Sequence, residues 1–456
     1  MLFPTFTFIL GFLPVTAIGY FLLASRSVTL SRLFLVAASL VFYSWFNWSY
    51  SLILAGSILG NWFFAGMLMH NRSKWVLASG IIANVALLGY FKYYDFFVEN
   101  VNALFGTAWT LKHILLPLGI SFFTFQQISF LQQVYYNTLQ KRYSFLNYAL
   151  FVCFFPQLIA GPIVLPDEMM SQFDRPDSTK PDQHNIAAGL YTFALGLGKK
   201  ILLADFLAEI ADAGFAVNGG GFFPAWGTAL AYTLQIYFDF SGYCDMATGI
   251  GMMFNIQLPQ NFNAPYRSGN ITEFWRKWHM TLGRFLMSSI YIPLGGNRCG
   301  TFRTYLNLLI TFFISGLWHG ASWLFVLWGM LHGAALMIHR LWSRVFGLKM
   351  AAVPAKLLTF LFVLLAWIPF RAASWQQAKM LYRAMFVPDS WTLPNYSGGD
   401  YAVFAAGLLL VIFFRPATDM GREFRPTWVN ALLAAALMIT SMFFFVKVSP
   451  FIYFNF

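Results

Sequence analysis

The chain has 456 residues, of which 59% are hydrophobic and only 10% are charged. A soluble domain normally carries about 25% charged residues, so this composition excludes an ordinary soluble protein and requires lipid over much of the surface. The net charge of +12 indicates the basic loops of a membrane protein rather than nucleic-acid binding, since the basic residues stand in short segments between apolar runs: Arg26, Arg32, Arg72, Lys74, Lys141, Arg142, Lys199 and Lys200.

Apolar runs long enough to cross a bilayer recur along the whole chain. A span needs roughly 20 apolar residues, and about 11 to 13 spans are expected, with some runs re-entrant or half-spanning. The first run has no basic segment before it, so it is interpreted as a helix of the mature protein and not as a cleaved signal peptide. The candidate runs are 6–24, 31–46, 50–68, 75–93, 113–131, 145–163, 186–204, 225–240, 304–319, 321–339, 356–371, 401–414 and 429–447.

Charged residues in the first loops predict the orientation. Arg26 and Arg32 follow the first run, the turn 47–50 after the second run has no charge, and the segment 70–74 after the third run is basic again. Because basic loops face the cytoplasm, the N-terminus is expected to lie outside.

Three stretches differ from the apolar pattern. Residues 164–185 are polar and rich in proline, residues 386–400 are similar, and both are expected to be extramembrane loops. Residues 271–290 carry apolar side chains at helical spacing, namely Phe274, Trp278, Leu282 and Phe285. This spacing predicts an amphipathic helix at the membrane interface, with an ordinary loop helix as the alternative.

Two histidines are the first candidates for chemistry. His319 lies in a strongly apolar stretch between Gly316 and Gly320, which leave room for another backbone or an extended ligand. A neutral imidazole accepts a proton from a hydroxyl group, and its basicity responds to burial. His279 lies among three basic residues and two tryptophans. The structural alternative for His319 is a core histidine bonded to a neighbouring helix. For His279 it is an interfacial histidine among membrane anchors.

Other polar residues give weaker indications. Asp239 and Asp245 are six positions apart and therefore not on one helical face, so capping, or pairing with a buried Arg or Lys, is favoured over paired acid–base chemistry. Ser241–Gly242 between them are expected to interrupt the helix. His332 and His339 share a helix face, but no carboxylate lies near them in sequence and no His-x-x-x-His spacing occurs, so no metal site is predicted.

Several reaction classes are not indicated. The chain has no G-x-S-x-G elbow, Gly198–Lys199 lacks the rest of a phosphate-binding loop, and the region around His319 has no acidic residue for a triad. Cys153, Cys244 and Cys299 show no paired spacing, so neither a disulfide framework nor a zinc site is expected.

A series of short strings spans most of the chain, and their order and joint presence are specific. The strings are LGYFKYYDFF (88–97), LPLGISFFTFQ (116–126), FPQLIAGPI (155–163), GLGKKILLAD (196–205), DFSGYCDMATGIGMMF (239–254), LPQNFNAPYRSGNITEFWRKWHMTLGRFL (258–286), YIPLGGNR (291–298), GLWHGASWLFVLWGMLHG (316–333) and SPFIYFNF (449–456). With them the chain resembles the membrane-bound O-acyltransferase family, and within it the bacterial exopolysaccharide O-acetylation proteins of the alginate and cellulose type. It departs from relatives at Met287–Ser288, at 133–137 and at Val164–Leu165.

The resemblance implies roles for particular residues. The family's essential histidine, in the WHG string, corresponds to His319, which would act as general base on an acceptor hydroxyl or orient it. Its second characteristic histidine corresponds to His279, nearer the donor. Further candidates for contact with the donor or a tunnel are Trp318, Trp278, Arg276, Lys277, Asp239, Asp245 and Asn263.

The resemblance also implies an architecture and a reaction. The expected fold is an all-α polytopic membrane protein, a single membrane-embedded domain over 1–456 with re-entrant and interfacial helices around a central tunnel. No cofactor is expected to be bound, and the acyl donor would be acetyl-CoA or an acylated carrier. The expected partners are the lipid bilayer of the bacterial cytoplasmic (inner) membrane, a periplasmic acetyltransferase-like protein and the exopolysaccharide machinery, with no nucleic acid.

Three alternatives remain open at this point. The first is transfer of D-alanine to teichoic acid instead of acetyl to a polysaccharide. As a member of another class, the chain would be a transporter whose buried His and Asp residues relay protons, although no internal repeat or paired broken helices are found. It would otherwise be a scaffold without catalytic activity in an exopolysaccharide synthase.

Overall fold

The three-dimensional structure, a computed structural model, describes residues 1–217, 220–344, 347, 350–387, 389–445 and 449–452. Within these ranges the chain is helical and has no strand, which confirms the all-α prediction. Residue 388 of the predicted loop 386–400, residues 446–447 of the last predicted span and residues 453–456 of the SPFIYFNF string lie outside the described residues.

Twenty α-helices follow one another along the described part of the chain. They are α1 (Leu13–Ala24), α2 (Val28–Ser44), α3 (Trp48–His70), α4 (Lys74–Phe105), α5 (Ile120–Tyr136), α6 (Phe145–Cys153), α7 (Phe155–Leu158), α8 (Pro166–Phe173), α9 (Gln183–Gly198), α10 (Asp205–Ala216), α11 (Phe222–Met253), α12 (Ile271–Lys277), α13 (Met280–Leu286), α14 (Thr301–His319), α15 (Trp323–Arg344), α16 (Ala352–Arg371), α17 (Trp375–Phe386), α18 (Gly398–Phe413), α19 (Ala417–Arg422) and α20 (Trp428–Phe443). π-Helical turns cover Thr7–Phe12, Lys199–Ala204 and Met287–Tyr291, and 3₁₀ turns cover Pro176–Thr179 and Pro265–Arg267.

Six helical stretches in the described part of the chain are long and apolar enough to cross a membrane, fewer than the number of spans predicted. They are Thr7–Ala24, Trp48–His70, Lys74–Phe105, Gln183–Ala216, Trp323–Ser343 and Ala352–Arg371. Shorter apolar helices are Val28–Ser44, Gly398–Phe413 and Trp428–Phe443. The chain is a multi-pass membrane protein.

The predicted span 113–131 is not a continuous helix. Helix α5 begins only at Ile120, after Gly119, which has a left-handed backbone at φ +70°. A Cβ atom at Gly119 would lie 2.5 Å from the carbonyl oxygen of Leu158, so this turn requires glycine. Hydropathy alone did not predict this turn, because the residues on both sides of it are apolar.

The predicted span 145–163 is also broken, and the predicted loop 164–185 is partly helical. Helix α6 ends at Cys153 and a single further turn, α7, contains Pro156. Proline cannot donate the hydrogen bond that would continue α6. In the loop, α8 forms because Glu168 accepts from the backbone N–H of Leu165 and closes the first turn.

Backbone contacts divide the chain into two compact units, where a single domain was expected. The first unit comprises Met1–Ala194, Cys244–Pro259 and Gly421–Ala436, and the second comprises Leu195–Tyr243, Gln260–Met420 and Leu437–Phe456. Both candidate histidines, His279 and His319, belong to the second unit.

Polar side chains pair with one another inside the first unit. Asn61 on α3 and Asn84 on α4 exchange two side-chain hydrogen bonds of 3.1 and 2.6 Å. On α5, Gln127 contacts Ser57 at 3.0 Å and accepts from Tyr148. Polar groups in an apolar helix need such partners, because lipid offers none.

A charged cluster in the first unit joins the predicted loop to residues outside it. Arg32 and Lys141 contact the carboxylate of Asp174 at 3.0 and 2.7 Å, and Asn147 donates to the same carboxylate. Burial alone would raise the pKa of Asp174, but the hydrogen bonds from Lys141 and Asn147 and the charge of Arg32 outweigh it and hold that pKa below its usual range.

Glycines bring helices of the second unit close together. A Cβ atom at Gly316 on α14 would collide with the carbonyl oxygen of Phe325 on α15, and one at Gly329 would collide with that of Phe312. The glycine before His319 therefore serves helix packing. The interruption predicted at Ser241–Gly242 is wrong, because α11 continues through both residues.

Candidate active site

The predicted helix over 271–290 is interrupted at its centre. α12 ends at Lys277 and α13 begins at Met280, and a π-helical turn follows α13. Between α12 and α13 stands His279 with a left-handed backbone, φ 44° and ψ 52°, a conformation that costs energy for a residue other than glycine. Its side chain is fully buried, so this histidine is not an interfacial anchor.

The loop before α12 holds this interruption in place. Asn263 donates its backbone N–H to the carbonyl oxygen of Lys277 at 2.9 Å, and Met280 donates its own to the carbonyl oxygen of Asn261 at 3.0 Å. These two bonds satisfy backbone groups that the break in the helix leaves without intrahelical partners.

The side chain of Asn261 sets the tautomer of His279. Its Oδ1 atom accepts from the backbone N–H of Thr281 at 3.2 Å and from the Thr281 hydroxyl at 2.9 Å. A backbone N–H donates only, so the atom it faces is the amide oxygen and not the amide nitrogen. The same oxygen lies 3.2 Å from Nδ1 of His279, which must therefore carry the proton. Nε2 is then the basic nitrogen of this imidazole.

His319 is the last residue of α14 and is 2% exposed. Its ring packs against aromatic rings on three sides, with centroid distances of 4.7 Å to Trp318, 4.9 Å to Trp328 and 5.1 Å to Phe370. Trp318 also packs against His279 at 6.1 Å. The two candidate histidines therefore share one indole, and both lie in a buried aromatic environment of the second unit.

The other histidines of this region join α12 to α15. Trp275 donates its indole N–H to Nδ1 of His332 at 3.2 Å. One turn earlier on α12, the Thr272 hydroxyl lies 2.9 Å from Nδ1 of His339. Both Nδ1 atoms thus take part in hydrogen bonds. In the described part of the chain, no group of three His, Cys, Asp or Glu side chains could hold a metal ion.

A buried ion-pair cluster surrounds Asp239. Lys200 contacts Asp205 and Asp239 at 2.7 Å each, and the three side chains are at most 9% exposed. The preferred prediction for Asp239, pairing with a buried basic residue, is confirmed. The assignment of Lys200 to a basic loop is wrong, because a charge can be buried when two carboxylates compensate it.

The described residues of the C-terminal string, 449–452, lie against this cluster. Ser449 contacts both Lys200 and Asp205, and Ile452 donates its backbone N–H to Asp239 at 2.9 Å. Between them, Phe451 packs on Phe240 with ring centroids 5.8 Å apart. Phe240 in turn packs on His279 at 4.7 Å, which connects the ion-pair cluster to the candidate active site by two ring contacts.

The remaining candidates differ in their surroundings. Trp278 is buried and stacks on Phe274 at 5.6 Å. Arg276 and the side chain of Asn263 are exposed, so neither is part of the buried cluster. Asp245 is buried and belongs to the first unit.

Lys277 contacts Glu273 at 2.7 Å, one helical turn away. Burial alone would raise the pKa of Glu273, but hydrogen bonds from Lys277 and from the backbone of Gly269 hold it below its usual range. The lysine is therefore engaged in an ion pair and is a weaker candidate for contact with a donor phosphate than the sequence indicated.

Sequence reasoning missed the partners of the histidines. Asn261, Trp275 and Trp328 each lie inside the strings that carry the family resemblance, but nothing in residue type or spacing distinguished them. The only available signal was the density of polar residues in 258–270 before an apolar helix.

Comparisons with known proteins agree with these features. The family model of the membrane-bound O-acyltransferases matches residues 69–374. A peptidoglycan O-acetyltransferase of Helicobacter pylori is 46% identical over 420 residues, which cover 84% of this chain and 80% of that protein. A probable alginate O-acetylase of Pseudomonas aeruginosa is 38% identical over 454 residues, 96% of this chain and 85% of the other. A teichoic acid D-alanyltransferase of Streptococcus thermophilus is 28% identical over 243 residues, 50% of this chain and 57% of the other.

Fold and site together define a multi-pass, all-α membrane enzyme whose two candidate histidines are buried. The chain belongs to the membrane-bound O-acyltransferase family, and it is an O-acyltransferase.

Proposed function

We propose that this enzyme moves an acetyl group from a cytoplasmic thioester donor, acetyl-CoA or an acylated carrier, to a hydroxyl group of a cell-envelope polysaccharide. Transfer would be direct or through a periplasmic acetyltransferase-like partner. The relatives that match most of the chain are named for O-acetylation of peptidoglycan and alginate, and both of these acceptors carry sugar hydroxyl groups.

One observation carries the mechanism: His279 and His319 lie on the same indole. Asn261 leaves Nε2 of His279 as an acceptor for a hydrogen bond from the donor. In the reaction the acceptor oxygen attacks the thioester carbonyl carbon, and the carbon–sulfur bond breaks. The hydroxyl proton passes to an imidazole and from there to the departing thiolate. We assign this proton transfer to His319, and positioning of the donor to His279. General-base assistance is typically worth about 10²–10⁴ in rate.

The assignment is tested with purified protein in lipid nanodiscs, labelled acetyl-CoA and a polysaccharide acceptor. H319A should reduce acetyl transfer by about 10²-fold or more, while thermal unfolding of the variant stays close to that of the wild type. H70A is the matched control, because His70 is exposed at the end of α3. Full acetyl transfer by H319A would refute the assignment, and transfer from a D-alanyl carrier instead of acetyl-CoA would redirect the function to teichoic acid.

The proposal includes a location. The protein would lie in the bacterial cytoplasmic membrane with its N-terminus outside, so that the donor approaches from the cytoplasm and the acceptor from the periplasm. Reporter fusions after Arg26 and after Asn47 test this orientation, because the positive-inside rule places the first of these positions in the cytoplasm and the second outside.

A further inference from the structure

Two buried N–H donors of the aromatic cluster that contains His319 have no acceptor among the described residues. They are Nε1 of Trp328 and Nε2 of His332, and both side chains are fully buried. The Trp328 ring lies 4.9 Å from His319 on one side and 4.9 Å from His332 on the other. Buried donors almost always have an acceptor in a native protein, so a pair without one requires an explanation.

The hydrogen bond from Trp275 identifies Nε2 of His332 as a donor. Because the indole N–H of Trp275 donates to Nδ1, that nitrogen holds a lone pair, and the neutral ring carries its proton on Nε2. Ser315, one helical turn before His319 on α14, adds a third buried polar atom without a partner among the described residues. The three groups are all fully buried within the second unit. Trp328 contacts the proposed catalytic base, and His332 contacts Trp328.

The neighbouring Trp367 shows that an unpaired indole is not general to this aromatic cluster. Trp367 stacks on Trp328 at 5.7 Å, is equally buried, and donates its N–H to the Tyr266 hydroxyl at 3.2 Å. The Tyr266 hydroxyl continues to the carbonyl oxygen of Thr233. Of two stacked indoles, the one that contacts His319 is therefore the one whose donor is unused.

We propose that the N–H groups of Trp328 and His332 donate hydrogen bonds to the carbonyl oxygen of the acyl group that this enzyme transfers. This inference rests on the proposed function, because it requires an acyl carbonyl at His319. When the acceptor oxygen attacks, the carbonyl π electrons move onto that oxygen, and the two donors stabilise the negative charge that develops there. Donors held in place before the reaction stabilise such a charge most effectively in a site without water.

Substitutions that remove the donors and keep an aromatic ring test the proposal. W328F should lower kcat for acetyl transfer by about 10²-fold, as for the loss of one donor to a developing oxyanion, with little change in KM. Its melting temperature should fall no further than that of W367F, because both changes reduce a buried indole to a phenyl ring and only W367F also breaks a hydrogen bond. H332F should behave likewise in kcat, and H332Q should restore much of the rate, because its amide can accept from Trp275 and donate onward.

W367F is the matched control. It removes an indole N–H that has an acceptor, so it should lower the melting temperature and keep kcat within severalfold of the wild-type value. Wild-type kcat in both W328F and H332F would overturn the proposal while leaving the function intact. A loss of rate that follows the melting temperature across all these variants would overturn it as well. If the wild type transfers no acetyl group, or if H319A remains fully active, the proposed function fails first and this inference fails with it.

Discussion

His279 donates from Nδ1 to Oδ1 of Asn261, an oxygen that also accepts both the backbone N–H and the hydroxyl of Thr281. One amide oxygen thus fixes both the tautomer of the imidazole and the first turn of α13. The left-handed backbone at His279 directs its ring towards this partner, which lies 18 positions earlier in the chain. The strained backbone thus helps to determine which ring nitrogen carries the proton.

N261L should therefore lower acetyl transfer about tenfold to a hundredfold, as for the loss of a group that orients a functional histidine. N261D keeps an acceptor but places a negative charge beside the imidazole, which favours the imidazolium form. The neutral His279 that positions the donor then exists only at higher pH, so the acidic limb of the pH–rate profile should move to higher pH. The measurement is kcat between pH 5 and 9 in nanodiscs.

N263L is the control for these two variants. Asn263 is also an asparagine of the same loop, but its side chain is exposed and only its backbone N–H bonds to Lys277. It should retain nearly full activity with an unchanged pH profile. Equal loss of activity in N261L and N263L would show that the loop matters as a whole and that the tautomer argument is wrong.

The two histidines were predictable from sequence, and their environment was not. An imidazole in an apolar run is unusual enough to be noticed, and the family strings then gave His319 and His279 their expected roles. The break at His279 was missed because Phe274, Trp278, Leu282 and Phe285 keep a helical period across it, so apolar spacing alone cannot reveal a residue with positive φ. The partner Asn261 was missed because tertiary contact across a loop has no sequence period.

The sequence predicted the surroundings of one basic residue correctly and those of another wrongly. The basic residues Arg32 and Lys200 look alike in sequence, each beside an apolar run, and both were assigned to basic loops. Arg32 does lie at an edge, where it pairs with Asp174, whereas Lys200 lies in a helical stretch between two carboxylates. Sequence position cannot distinguish a snorkelling or loop lysine from a buried one, because the deciding acids are 5 and 39 positions away in the chain.

Removal of Lys200 should be strongly destabilising. K200M leaves the carboxylates of Asp205 and Asp239 together in a buried site without their cation, and breaking a buried pair in this way typically costs about 3–5 kcal/mol. The triple variant K200M/D205N/D239N should recover much of this loss. The measurement is thermal unfolding in detergent, with K199M as control, because Lys199 is less buried. A K200M protein as stable as the wild type would contradict the ion-pair cluster.

Two glycines inside helices should respond oppositely to alanine. A Cβ atom at Gly242 on α11 would lie 2.8 Å from the carbonyl oxygen of Gly196 and 3.2 Å from the backbone nitrogen of Lys200, so G242A should destabilise the protein by about 1–3 kcal/mol through overpacking. Gly56 on α3 has nothing within 4 Å of that position, and G56A should stabilise by about 0.5–1 kcal/mol. The melting temperatures of both variants test this difference. A stabilising G242A would mean that α9 and α11 are not in close contact at Gly242.

The Asp174 cluster predicts a stability change in acid. Because the pKa of Asp174 is lower in the folded protein than its unfolded value of about 3.9, its contribution to stability is fully present above about pH 4 and is lost as the pH falls through the folded pKa.

D174N should cost at most about 1 kcal/mol at neutral pH, since the carboxylate is partly exposed and its pairs are screened. The melting temperatures of wild type and D174N, measured from pH 7 to pH 3, should therefore converge in acid. D177N is the control, because no ion pair involves Asp177 within the described ranges, and it should melt close to the wild type at pH 7. A wild-type and D174N difference that stays constant down to pH 3 would mean that Arg32 and Lys141 do not favour the ionised carboxylate.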